Sequence, residues 1–485
     1  MPKTAAPMAS TSKATLQRSL AEAKNYAGWV RAARALDESN GSDKWKARDR
    51  TGLYDYATIR ERRDRLRTLR RRCDHQRLVY TLEEGVHGNL GGMGKPILYS
   101  KAYFGTKRLI TSYVDEVVQA LLHVESLPAA KLGKAIKLDF FKRASHCYGR
   151  SALMFSSGGM LMYFHFGVAK SLFEQGVLPS VLSGSSAGAL VCAVLGTRSN
   201  KELRGFFTAE NICFGKEWRP NTFERVSGLR RIYGTDAFEH TLVRLIPDLT
   251  FREAFENNGR HFSISVSPRE RHHSPRLLNA ITSPHVLIRS AVRASCAVPG
   301  LFEPVRLQAR NARGKVVPYL NSRWVDGVFA ADLPAKQLAR LYGTNHYIVS
   351  YINPFLLPTF RDHKLESARL QPLVHMVKSV ARNWLKISDR LIGKYIPLSS
   401  FSLANKLLHD ILSQNYVGDI SIVPQRRLIS PMKLVSPNTP EEIAALMLDG
   451  ERQTWPRIEM IRVSSKISRT LDDILMRLGE GHDPY

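Results

Sequence analysis

The sequence predicts an α/β core with helical flanks on both sides, and three observations predict it. From Leu16 to about Val124 apolar residues recur at helical spacing, with Tyr26, Trp29, Ala33 and Leu36 on one face. After Lys142 short apolar runs alternate with amphipathic stretches, the pattern of an α/β architecture. Beyond Pro358 helical spacing returns. These changes set the expected domains: a disordered basic tail over 1–20, a helical domain over 21–149, the α/β core over 150–352 and a helical extension over 353–485.

The chain has 485 residues, 44% of them hydrophobic, enough for a sizeable core in about three domains. Charged residues make up 24%, so a disordered polyelectrolyte is excluded. Against 71 Lys and Arg stand 43 Asp and Glu, a net charge of +28. A field of that sign favours anionic partners, either phospholipid headgroups or nucleic acid. A nucleic-acid reading module and a basic strand with interleaved aromatics are both missing, so no specific nucleic acid is expected as partner.

Cys73, Cys147, Cys192, Cys213 and Cys296 are widely spaced and form no CxxC pair. Their odd number reads as reduced thiols of an intracellular protein. The first twenty residues are basic and Ser/Thr-rich without an apolar run, so no secretory signal is expected. Ala152 to Ala169 is apolar, but Ser156, Ser157, Gly158, Gly159 and His165 interrupt it. A strand, turn and helix are expected there, and no transmembrane helix.

In the N-terminal region Arg60, Arg62, Arg63, Arg65, Arg67, Arg70, Arg71 and Arg72 crowd one stretch. It reads either as a solvated helix face or as a contact with an anionic surface. Gly88, Gly91, Gly92 and Gly94-Lys95 imitate a phosphate loop, but Asn89 and Pro96 break the Walker spacing, so a plain loop is expected. Strands are expected at Ala152–Phe155, Val181–Leu182, Phe262–Val266, Arg323–Val325 and His346–Ile352, with a short one at Asp419–Val423. After Pro372, Leu373, Met376, Val377, Val380, Trp384 and Leu391 form a stripe beside Lys378, Arg382, Lys386 and Arg390. That helix suits a membrane interface, or a helix packed on the core with a basic outer edge. Polar helices close the chain.

The chemistry starts at Gly184-Ser185-Ser186-Ala187-Gly188, between the apolar Val181-Leu182 and the small-residue helix Ala189–Leu195. A serine at a tight strand-to-helix turn has its Oγ exposed, and a helix N-terminus favours developing negative charge. The bland alternative is any glycine-rich turn; the strand before and the helix after favour a nucleophile. Ser156-Ser157-Gly158-Gly159 forms a second turn whose glycines leave N–H groups free for an oxyanion. Asp326-Gly327 closes the apolar strand at Trp324-Val325 and, paired with a serine elbow, is a candidate base.

Ser157-Gly158-Gly159, Gly184-x-Ser186-x-Gly188 and Asp326-Gly327, in that order, resemble the patatin-like acyl hydrolases. The stretches Ser283–Val305 and Trp324–Pro354 narrow the resemblance to the triacylglycerol lipase branch found in yeasts and oil-storing seeds, with bacterial relatives. Tyr26-x-x-Trp29, Asn89-Leu90-Gly91 and Tyr113–Glu116 resemble the helical N-terminal domain of that branch, so the likeness runs from about Tyr26 to Val423. It implies a three-layer α/β/α core and a Ser–Asp dyad, with Ser186 the nucleophile, Asp326 the general base and the Gly158 and Gly159 N–H groups the oxyanion hole. It implies hydrolysis of glycerolipid esters, triacylglycerol first, through an acyl-enzyme and without metal or cofactor. Phospholipase A or lysophospholipase activity is the alternative within the class; a catalytically silent membrane-binding protein is the alternative outside it. The expected site of action is peripheral, at an anionic membrane or lipid-droplet surface.

The sequence departs from the family pattern where Ser156 and Ser157 replace Asp and Gly and where Leu161 and Met162 replace Arg and Gly. If Ser157 had to adopt a glycine-only conformation, the turn would be strained. His165 is expected to be packed on its helix, since the dyad needs no histidine. His272-His273 is expected to be a solvated pair without metal-ligand spacing, and the His-x4-Asp acyltransferase motif of some fungal members is absent.

Overall fold

The structure, a computed structural model, describes residues 12–86, 88–214, 235–269, 274–298, 302–327, 333–353, 357, 418–426, 431–434 and 436–480. The cationic stripe from Lys378 to Arg390 and the pair His272-His273 lie outside the described residues. Two compact units divide the chain: Met1–Tyr148 with Thr454–Tyr485, and Gly149–Gln453.

The first unit is helical. Its start differs from the expected disordered tail, because Lys13–Ala21 is a helix. Ser12 caps it by accepting the Thr15 N–H at 3.2 Å, and Leu16 and Leu20 share a half-buried face. The helix Tyr26–Ser39 buries Trp29, Ala32, Ala33 and Leu36, and Arg108–Ser126 forms the spine of the unit. The chain's closing helix is the second departure. Ile458–Leu475 is not merely polar: it buries Ile458, Ile461, Ile467, Leu471 and Ile474 against Arg108–Ser126 and Lys134–Tyr148. Lys466 pairs with Asp115 at 2.5 Å, and the Arg477 guanidinium donates to Glu125 at 2.7 and 2.9 Å. The expected extension over 353–485 is thus shared between the two units.

Most of the arginine-dense stretch is tied down inside this unit. On the helix Tyr56–Arg71, Arg67 and Arg70 donate to the buried Glu116 at 3.1 and 2.8 Å. Burial alone would raise the Glu116 carboxyl; the hydrogen bonds and charges of Arg70 and Arg67 outweigh it and hold the group below its usual range. Arg62 donates to the carbonyls of Thr81 and Gly85, both at 2.7 Å, where the helix His75–Glu83 ends. Lys107 does the same for the end of Ser42–Ala47, donating to the Trp45 and Arg48 carbonyls at 2.5 and 2.7 Å. Helix C-termini leave carbonyls without intrahelical partners and carry partial negative charge, so buried cations are accommodated there. Arg71 and Arg72 remain exposed.

The second unit holds one sheet in the order β5-β6-β3-β2-β1-β7-β8, with β4 paired to β3. The strands are β1 Arg150–Phe155, β2 Val181–Gly184, β3 His261–Pro268, β4 Arg276–Leu278, β5 Val305–Arg310, β6 Val316–Asp326, β7 Thr344–Ser350 and β8 Ile420–Ile422. β3, β2, β1, β7 and β8 run parallel; β6 and β5 are added antiparallel at one edge. Helices cover both faces, as an almost fully apolar parallel sheet requires. Tyr342 and Leu338 of the helix Ala335–Tyr342 join Ala152, Met154, Val181 and Val349 in a buried cluster on one face. On the other face the helix Ala187–Gly196, buried along its whole length, approaches so closely that a Cβ on Gly196 would meet the Phe262 ring. Such an all-apolar helix is stable only when enclosed on every side. Among the described residues no helix is long and apolar enough to cross a membrane.

Candidate active site

The sheet brings its chain turns together at the carboxyl ends of β1 and β2, where open α/β sheets bind ligands. β2 ends at Gly184, two residues later the chain turns at Ser186, and the helix Ala187–Gly196 begins at once. Ser186 has φ 53° and ψ −118°, a conformation that side chains rarely adopt. A Cβ on Gly184 would strike the Gly188 carbonyl, and one on Gly188 would strike the Phe155 carbonyl. The two glycines of the motif therefore let strand, turn and helix crowd together while forcing the strained residue between them.

Register sets the height of Asp326. Gly184, the last paired residue of β2, lies opposite Ile264 of β3, and Val266, two residues on, pairs with Asp326 of β6. The strands that lead into Ser186 and end on Asp326 thus lie on either side of β3. Both residues are buried, at 8% and 1% exposure. Gly327 follows on; a Cβ there would strike the Ser265 carbonyl and lie 2.9 Å from the Ser185 Oγ.

One segment touches both residues. At the end of the helix Ile288–Ser295, the fully buried Ser295 accepts the Ser186 N–H at 2.9 Å and donates to the Ser265 carbonyl at 2.7 Å. The Cys296 thiol donates to the Ser186 carbonyl at 3.4 Å. The Asp326 N–H donates to the Ala297 carbonyl at 3.1 Å. Burial, then the nearby Asp326 carboxylate, push the Cys296 thiol well above its usual range, so it stays protonated and a donor. Sequence reasoning missed Ser295, Cys296 and Ala297 as individual residues; only the likeness of Ser283–Val305 to the lipase branch covers them.

The second turn follows β1. Ser156 donates its N–H to the Ser350 carbonyl at 3.1 Å, and its Oγ accepts the Ile352 N–H at 3.0 Å. Ser157 is not among the non-glycine residues of positive φ, so the strain conditionally expected there does not arise. Gly159 does have a positive φ, 53°, and a Cβ on it would strike the Leu434 carbonyl; one on Gly158 would strike Ile352. Among the described residues, neither the Gly158 nor the Gly159 N–H has a hydrogen-bond acceptor. His165 is fully buried beneath this turn. Its Nε2 faces the Ser156 carbonyl at 2.9 Å and must carry the proton there, so its Nδ1 accepts from the Ser350 hydroxyl at 2.7 Å. Burial pushes its pKa down to about 3, and the ring stays neutral. Among the described residues no group of three or more His, Cys, Asp or Glu side chains gathers to hold a metal ion.

Comparison with known proteins adds what geometry lacks. Residues 153–339 match the model of the patatin-like phospholipases, and residues 7–146 match DUF3336, a domain of unknown function. A patatin-like phospholipase domain-containing protein of Aspergillus fumigatus is 31% identical over 96% of this chain and 69% of its own length. The chain belongs to the patatin-like phospholipase family. A triacylglycerol lipase of Arabidopsis thaliana is 32% identical over 93% of this chain, and a patatin-like protein of Emericella nidulans is 32% identical over 96%. The chain spans 57% and 65% of the length of those two relatives. Among solved structures, VipD of Legionella pneumophila aligns over 65% of this chain and 67% of its own at 17% identity, with a TM-score of 0.33.

Proposed function

We propose that this patatin-like protein is a serine acyl hydrolase that releases fatty acids from glycerolipids, with triacylglycerol the first candidate substrate. The observation that carries the reading is the strained Ser186 turn, with one buried segment, Ser295 to Ala297, hydrogen-bonded to both Ser186 and Asp326. Asp326 takes the Ser186 proton as Oγ attacks the ester carbonyl. The N–H groups of Gly158 and Gly159 receive the oxyanion, and each such donor is worth about 3–4 kcal/mol of barrier. The alcohol leaves with the proton from Asp326, an acyl-enzyme remains, and water activated by Asp326 releases the fatty acid. This chemistry calls on no metal or cofactor.

The triacylglycerol choice draws on the 32% identical lipase of Arabidopsis thaliana. The net charge of +28 favours a second reading, a phospholipase A or lysophospholipase acting at an anionic membrane. In either case the protein works peripherally, on a membrane or lipid-droplet surface inside the cell. Fatty-acid release from triolein emulsion and from phosphatidylglycerol vesicles, compared between the wild type and Ser186→Ala, tests the reading. Release that vanishes in the variant supports it, and the faster substrate chooses between lipase and phospholipase. No release by folded, lipid-bound wild type leaves a catalytically silent membrane-binding protein.

A further inference from the structure

β5 and β6 form a hairpin at the edge of the sheet, closed by the turn Asn311–Lys315. The Asn311 Oδ1 accepts the Arg313 and Lys315 N–H groups, both at 3.0 Å. β5 keeps a regular alternation, with Val305, Leu307 and Ala309 inward and Arg306 and Gln308 outward. β6 does not. From Val316 to Arg323 none of its residues is buried, although Val316-Val-Pro-Tyr-Leu320 is five apolar residues in a row. Val316 is 51% exposed and Leu320 40%.

A bulge adds to this. Arg306 pairs with Arg323 and Gln308 with Pro318, so a single residue of β5 opposes the four residues 319–322 of β6. Leu320 sits in that bulge with φ 62°, a left-handed backbone that a leucine adopts only at a cost. A run of exposed apolar residues on a sheet edge is an aggregation liability unless something covers it in use. Around it stand exposed Arg306, Arg313, Lys315 and Arg323, and no Asp or Glu occurs between Val305 and Val325.

We infer that this hairpin is the surface that seats the catalytic unit on an anionic lipid–water interface, its apolar run entering the interface and its cations meeting the headgroups. The inference deepens the proposed lipid hydrolysis by naming the surface that meets the lipid, and it rests on that reading. Charge selects the occupant. A second copy of this chain would bring the same cations face to face, whereas an anionic interface receives both the cations and the apolar run. β6 also ends on Asp326, so the arm that touches lipid runs directly into the candidate site.

The test is binding to vesicles of equal parts phosphatidylglycerol and phosphatidylcholine, in a Ser186→Ala background so that the vesicles are not consumed. Arg306→Gln, Arg313→Gln and Lys315→Gln together should weaken binding about tenfold or more at low salt, since each cation near an anionic surface adds to the attraction. Val316→Ser with Leu320→Asn should weaken it at low and high salt alike. Val316→Trp should tighten binding and shift its fluorescence to the blue on adding vesicles. With Ser186 restored, all three should hydrolyse the soluble ester p-nitrophenyl butyrate as the wild type does. Unchanged vesicle binding in the first two variants overturns the inference. So does a concentration-dependent wild-type dimer that these variants abolish, which would make the hairpin an interface between copies. A wild type that binds vesicles through the hairpin but fails on the soluble ester sinks the hydrolase reading instead.

Discussion

Ser295 holds Ser186 through the backbone: its hydroxyl takes the Ser186 N–H at 2.9 Å and gives its own proton to the Ser265 carbonyl at 2.7 Å. The Ser186 N–H is therefore committed to orienting the turn. It is not offered to a substrate oxyanion, in keeping with a hole built from Gly158 and Gly159. Ser295→Ala leaves a buried donor and a buried acceptor unsatisfied and should cost about 1–3 kcal/mol of stability. It should also lower kcat about tenfold with little change in KM, because a misoriented nucleophile loses transition-state binding alone. Ser295→Thr should recover most of kcat, and equal losses in both variants would reduce Ser295 to a packing residue.

The conformation at Ser186 predicts an inverse relation between activity and stability. Non-glycine residues in such regions cost on the order of 1–3 kcal/mol, which glycine avoids. Ser186→Gly should therefore melt at a higher temperature than Ser186→Ala, while neither reacts with a fluorophosphonate probe. Equal melting temperatures would mean that the backbone there is unstrained.

The buried His165 predicts a pH dependence. Its folded pKa is depressed to about 3, below the ordinary value of 6.5. Between those values the unfolded chain binds a proton that the folded chain refuses, so stability falls as pH drops through that window, by up to about 1.4 kcal/mol per pH unit. His165→Gln should flatten this slope between pH 6 and 4 in denaturant titrations. An unchanged slope would mean that the imidazole is protonated in the fold.

Glu116 predicts a second acid-labile element, in the helical unit. Its folded pKa is depressed, so the clamp by Arg67 and Arg70 contributes fully above the unfolded carboxylate value and is lost as pH falls through the folded one. Glu116→Gln should cost about 1–3 kcal/mol at pH 7. The loss should shrink toward zero in acid, and a loss independent of pH would assign the effect to packing.

How much of this could be read in advance depends on the distance over which each feature is encoded. The strand, glycine turn and helix around Ser186 are legible because a short apolar run, two glycines and a small-residue stretch lie side by side in the chain. β5 escapes notice although Val305, Leu307 and Ala309 alternate, since its run is short and broken by two arginines. Ser295 escapes for another reason: its partners are 109 and 30 residues away, and nothing local distinguishes it from any serine at the end of a helix. The arginine stretch reads as surface because the buried carboxylate it clamps, Glu116, lies 49 and 46 residues on from Arg67 and Arg70. The closing helix looks polar by composition, and its buried isoleucines gain meaning only once Arg108–Ser126 stands opposite them.

The helical unit is built from the two ends of the described chain, and this bears on the order of events during synthesis. When Tyr148 has left the ribosome, the apolar groove that will receive Ile461, Ile467 and Leu471 stands open. The second unit must be translated first, which at 5–20 residues per second takes roughly 15–60 s. For that interval the nascent helices expose a greasy seam to solvent. Arrest or truncation anywhere before residue 454 leaves the seam unfilled however well the sheet has folded, and makes such fragments targets for chaperones and proteases.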